Sequence, residues 1–172
     1  MRARQLLLMV LPLGACQTTP SPQTVVEQFY AATIAGRLAG APTPEQLATL
    51  APYLSDTLQK LLSAARRQHD ADVARSPDEK PAFADGDLFS SNFEGPNAVE
   101  VIADSARGDH RVVSTRMTYR GADPVLTWVD RVVVTTERDR PVIDDVEYGG
   151  QWGFASKGTL RKSLEAALAS SS

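Results

Sequence analysis

The sequence predicts an α+β domain: N-terminal helices packed on one face of a four-stranded antiparallel meander, followed by a C-terminal helix. Two changes of pattern predict it. Apolar residues recur at helical spacing as far as about residue 68, and from Ala98 onward they fall into short β-branched runs divided by turn residues. The dividers are too short for crossover connections, so neighbouring strands are expected to run antiparallel. Helices first and strands afterwards place the helices together on one side of the sheet.

The elements follow in order. Thr24-Val25-Val26-Glu27 reads as a capping box, and Val26, Phe29, Tyr30, Thr33 and Ile34 share one helical face before Gly36 and Gly40. Thr43-Pro44-Glu45-Gln46 opens a second helix with proline at its first position, and Pro52 breaks it. Leu54, Leu58, Leu61, Leu62 and Ala65 stripe a third helix that ends at about Gln68. His69 to Gly95 is polar, contains Pro77, Pro81 and Gly86, and reads as a long loop. Strands are expected over 99–103, 111–119, 125–136 and 142–148, and a last helix carries Leu160, Leu164, Ala167 and Leu168. The third strand is apolar on both parities, with Leu126, Trp128, Val132 and Val134 on one side and Val125, Val129 and Val133 on the other. One side is expected to meet the N-terminal helices. The other is left for the C-terminal helix or a partner.

The first residues read as an export signal. Arg2 and Arg4 precede the apolar run Leu6 to Leu11, and Leu13-Gly14-Ala15-Cys16 follows. A run of about 8 apolar residues is far shorter than the roughly 20 that span a bilayer. The last four of these residues resemble the lipobox of bacterial lipoproteins, which implies cleavage after residue 15 and acylation (palmitate among the chains) of Cys16, the only cysteine. Residues 16–23 would then be a lipidated, polar tether, 24–169 the domain and 170–172 a tail. Gln17, by resemblance to the enteric sorting rule, favours the outer over the inner membrane, with the domain facing the periplasm. Losing Arg2 and Arg4 from 18 basic residues leaves 16 against 21 acidic, a net charge of −5. Such a surface repels phosphate backbones and anionic headgroups, which argues against nucleic acid and leaves the acyl chains as the membrane contact. About 157 of the 172 residues remain, enough for one domain.

Three segments carry a resemblance. They are Tyr53-Leu54-Ser55-Asp56-Thr57-Leu58, Asp87 to Pro96 (DLFSSNFEGP), and the pair Trp128-Val129-Asp130-Arg131-Val132 with Val142 to Gly150 (VIDDVEYGG). Together they resemble an uncharacterised, domain-of-unknown-function family of periplasmic lipoproteins in the nuclear-transport-factor-2-like, or cystatin-like, superfamily. The resemblance implies a curved sheet wrapped over the first helix, a cone that can enclose a pocket. It transfers no catalytic residues, because that scaffold hosts isomerases, dehydratases, binding modules and assembly subunits alike. Pro141 departs from the pattern by standing where such sequences often carry tryptophan.

Among candidate site residues, Asp130 is the one charge sharing parity with Leu126, Trp128, Val132 and Val134. Two readings stay open: a carboxylate in an apolar cone acting as general base, with Tyr119 or Tyr148 as hydrogen-bond donor, or a paired structural acid. Arg116 on the preceding strand is a candidate partner for it. Asp144 and Asp145 are adjacent on a strand, point to opposite faces and cannot chelate one ion without a bulge. His69, Asp70 and Asp72 are expected to be solvated where the third helix frays, and Asp85-Gly86-Asp87 to form a turn. Arg107-Gly108-Asp109 reads as a hairpin. With only His69 and His110 present, no Ser-His-Asp set is recognisable, and no metal or cofactor motif is found. Trp152 and Phe154, beside Tyr148-Gly149-Gly150, either cap the cone or present aromatic anchors to a protein partner. A non-enzymatic, protein-binding or accessory subunit is therefore the favoured expectation. A small-ligand or isomerase- or dehydratase-like pocket using Asp130 is the alternative.

Overall fold

A computed structural model describes residues 19–170. The signal segment 1–15, Cys16, the start of the tether and the last two residues lie outside the described residues.

The Oγ of Ser21 accepts the backbone N–H of Thr24 at 3.1 Å and caps helix α1, Pro22–Ala35. The helix therefore starts ahead of the expected Thr24 box. Serine before a proline at the first helical position satisfies the same orphan donors earlier. Thr43 caps α2, Pro44–Leu50, through a capping box with Gln46, as the pattern predicts. A 3-10 turn at Ala51–Tyr53 absorbs Pro52, and Ser55 caps α3, Asp56–Arg75. This helix runs well past Gln68. Arg66 pairs with Asp70 one turn on, Gln68 donates to Asp72, and Asp72 also accepts the backbone N–H of Ala82. Asp70 and Asp72 therefore extend the helix and fasten the following loop where fraying was expected.

Four strands follow, β1 Ala98–Arg107, β2 His110–Tyr119, β3 Leu126–Glu137 and β4 Arg140–Glu147, in the order β1-β2-β3-β4. All three pairings are antiparallel, and the sheet is open. Strand β1 is longer than the apolar run suggested, because its polar half pairs with β2 as far as Arg107 opposite His110. The β3–β4 turn holds Arg138 and Asp139 at φ +50° and +60°, the two left-handed residues that a tight hairpin twist demands. Pro141 sits on the edge strand opposite Thr136, where a missing N–H costs little. Helix α4, Leu160–Ser170, closes the chain against α3 and β4.

The helices share one face of the sheet. Phe29, Tyr30 and Val26 of α1, Leu58 and Leu62 of α3, and Leu160 and Leu164 of α4 are buried against Val113, Met117, Trp128, Val132, Ile143 and Val146. Phe29 meets Tyr30 and Phe89 edge-on, with ring centroids 5.1 and 5.2 Å apart. Each buried side chain of this size contributes about 1.5–3 kcal/mol. The opposite face is charged: Glu100 pairs with Arg116 at 2.6 Å, and Glu147 bridges Arg107 at 2.6 Å and Arg131 at 3.0 Å. Arg107 and Glu147 lie on the two edge strands, so this ion pair spans the whole solvent face. Partial burial works to raise the Glu147 pKa, but hydrogen bonds and charge from Arg107 and Arg131 outweigh it and leave it lowered. Among the described residues no helix is long and apolar enough to cross a membrane.

Candidate functional site

Asp130 lies on the inner face of β3, entirely out of solvent, opposite Thr115 of β2. The register thus corrects the Arg116 pairing: Arg116 opposes Val129, points to the outer face and pairs with Glu100. Asp130 is instead satisfied by four donors. Its Oδ2 accepts the backbone N–H of Ser91 at 2.7 Å and the indole N–H of Trp128 at 2.9 Å. Its Oδ1 accepts the backbone N–H of Gly149 at 2.7 Å and the hydroxyl of Ser91. The Thr115 hydroxyl donates to its main-chain carbonyl at 3.1 Å.

These bonds join three pieces of chain distant in sequence. The 87–95 loop enters the core at Phe89, Ser90 and Ser91, which are buried. Tyr30 donates to the Phe89 carbonyl at 2.9 Å and Tyr148 to the Leu88 carbonyl at 2.6 Å. Burial foremost, then the charges of Asp130 and Asp87, raise both tyrosine pKa values, so both hydroxyls remain donors. Gly150 donates to the Ser91 hydroxyl at 2.9 Å. Gly149 approaches so closely that a Cβ would fall 2.0 Å from the Val129 carbonyl, which only glycine permits. A carboxylate this enclosed has no lone pair left for a substrate. The general-base reading of Asp130 does not fit this geometry, and Tyr148 is likewise turned inward. Tyr119 stands at the end of β2, half-buried and packed over Gly121.

The two aromatics after Gly150 are placed differently. Trp152 is half-buried and packs edge-on against Trp128, with centroids 5.6 Å apart, and so caps the core. Phe154 is 96% exposed.

Asp144 and Asp145 behave differently from a regular strand. The β3–β4 register shifts so that Val133 faces Asp145 and Val134 faces Ile143, leaving Asp144 as the extra residue. The bulge brings both acids to the start of α4. Asp144 accepts the Ser55 hydroxyl at 2.7 Å and the Arg161 guanidinium at 2.6 Å, while Asp145 accepts the Arg161 backbone N–H at 2.9 Å. They thereby tie the caps of α3 and α4 to the sheet. Among the described residues no group of His, Cys, Asp and Glu is placed to hold a metal ion.

Sequence reasoning missed Asp87, read only as part of a turn. Its Oδ1 accepts the Phe89 backbone N–H at 2.9 Å, and its Oδ2 is buried with no partner. Burial raises its pKa to about 6; the nearby Ser90 hydroxyl and the Phe89 N–H oppose the rise, and the charge of Asp130 adds to it. Asp87 also lines a cavity of about 620 Å³ between the end of α1 and residues 94–97. Its place at the head of the DLFSSNFEGP segment was the one available signal.

An open antiparallel sheet with helices on one face, and a buried acid joined by hydrogen bonds to two loops, define a small α+β domain. The chain belongs to the family of the uncharacterized lipoprotein YbjP of Escherichia coli (strain K12). The two are 33% identical over 146 residues, which cover 84% of this chain and 75% of that protein. No sequence model of a known family matches the chain, and no solved structure does.

Proposed function

We propose that this protein is a cell-envelope lipoprotein that works without catalysis, docking a protein partner through the loop that carries Phe154. Family membership with a lipoprotein and the Leu13-Gly14-Ala15-Cys16 sequence support acylation of Cys16. Gln17 after that cysteine favours the outer membrane, with the domain in the periplasm. The helix-over-sheet arrangement supports a nuclear-transport-factor-2-like scaffold.

The observation that carries the docking role is the exposure of Phe154, at 96%, on a loop whose base is fixed. A fully exposed aromatic ring is apolar area that a partner could remove from water. Here the backbone beneath it is anchored, with Ser156 donating to the Ser91 carbonyl at 2.8 Å and Ala155 to the Trp152 carbonyl at 3.2 Å. A rigid aromatic costs little conformational entropy to bury and is the kind of residue that dominates interfaces.

Replacing Phe154 with a photo-crosslinking phenylalanine analogue in intact cells is expected to give a discrete heavier adduct. The same analogue at Val129, on the charged outer face, is expected to give none. Adducts of equal yield at both positions, or at neither, count against a docking loop. Phe154→Ser is expected to change unfolding stability by no more than about 0.5 kcal/mol, since the ring makes no core contact.

A further inference from the structure

The cavity of about 620 Å³ lies at the C-terminal end of α1, lined by Thr33, Ile34, Arg37, Leu38, Asp87 and Glu94 among others. Its size suits a small molecule. Three features bias it toward a cation. The last carbonyls of a helix carry partial negative charge. Glu94 is exposed on the lining. Asp87, in the wall, has an Oδ2 that meets no donor of the protein. A donor on a ligand would satisfy that oxygen. Gly95 packs closely against Asp87: a Cβ there would lie 3.3 Å from both its Cβ and its Oδ2, and at φ +70° a side chain is disfavoured in any case.

A bare divalent ion is the poorer match, because it requires six or more oxygens and Asp87 offers one. A primary ammonium, with three donors on a compact charge, matches one carboxylate oxygen and nearby carbonyls. Arg37 adds a positive charge to the same lining, which suits an acid group on the same molecule.

We infer that this cavity is a binding site for a small amino-acid-like zwitterion, its ammonium held by Asp87 at the end of α1 and its acid group met by Arg37. The site is separate from the Phe154 loop, so either reading stands if the other fails.

The test uses the full chain titrated calorimetrically with three probes: 4-aminobutyrate, butylammonium and butyrate. The zwitterion is expected to bind tightest, butylammonium more weakly, and butyrate not at all. Asp87→Asn is expected to weaken the amine-bearing probes at least tenfold. Charged and titratable groups around Asp87 are Asp130, Tyr30 and Tyr148 in the core and Glu94 and Arg37 on the lining. Because Asp87 gains its charge near pH 6, affinity at pH 5 should be about tenfold below that at pH 8. Should Asp87→Asn fail to fold, Ala39→Phe, on the exposed side of the lining, fills the cavity without touching Asp87 and is expected to abolish binding. Equal binding of butyrate, binding by none of the probes, or a parent-like titration of Ala39→Phe overturns the proposal.

Discussion

Asp130 illustrates how a buried charge is kept without a countercharge touching it. Removing a carboxylate from water costs several kcal/mol, and charge-assisted hydrogen bonds of about 1.5–3 kcal/mol each offset that cost. Its four donors come from Ser91 (two), Trp128 and Gly149, and so from three separate stretches of chain. Asparagine keeps the shape but turns an amide N–H₂ toward two of those donors. Asp130→Asn is therefore expected to destabilise the protein by about 3 kcal/mol in urea unfolding, with the Trp128–Trp152 near-ultraviolet signal weakened. A change under about 0.5 kcal/mol would mean the donors are met by water instead. The sequence exposed Asp130 as a lone charge on an apolar parity, because strand alternation is a local property. It did not expose the donors, since Ser91 lies 39 residues away. Asp87 escaped notice for a similar reason: nothing local distinguishes a turn acid from one folded under the end of a helix.

At the scale of elements, the strands were legible because β-branched runs bounded by turn residues encode both their length and their pairing. What the pattern hid were the irregular places. Asp144 is bulged, so two adjacent acids that alternation sends to opposite faces converge on Arg161. Helix α3 outran its apolar stripe because ion pairs and a loop contact continue it where burial stops. Gly149 marks the tightest junction between β4 and the rest, with its absent Cβ 2.0 Å from the Val129 carbonyl. Gly149→Ala must push the 148–155 segment away from β3, breaking the Gly149 and Gly150 hydrogen bonds together. A loss of about 2–4 kcal/mol is expected, with faster amide exchange across residues 149–156 than in the helices. Alanine tolerated there with parent-like exchange would show that the loop is not stapled to the sheet.

For the whole molecule, the separation between the proposed anchor and the folded body sets how it meets a surface. Pro22, the first residue of α1, is six positions after Cys16, and an extended chain covers at most about 3.6 Å per residue. On the proposed acylation, the start of α1 would sit within roughly 22 Å of the Cys16 thiol, and the far end of this 14-residue helix lies about 21 Å further along its axis. With the net charge of −5 that cleavage would leave, the protein would be repelled by anionic headgroups. On the proposed acylation, membrane retention would then come from the acyl chains, several of which suffice where one is marginal. Two consequences separate this from electrostatic attachment. The parent protein should stay with membranes through a high-salt wash, because screening does not weaken hydrocarbon burial. Cys16→Ser, which cannot be acylated, should appear in the soluble fraction even at low ionic strength while keeping the same unfolding midpoint. A Cys16→Ser protein that sediments with membranes as the parent does would place the attachment in the folded body, on a surface whose charge gives no reason for it.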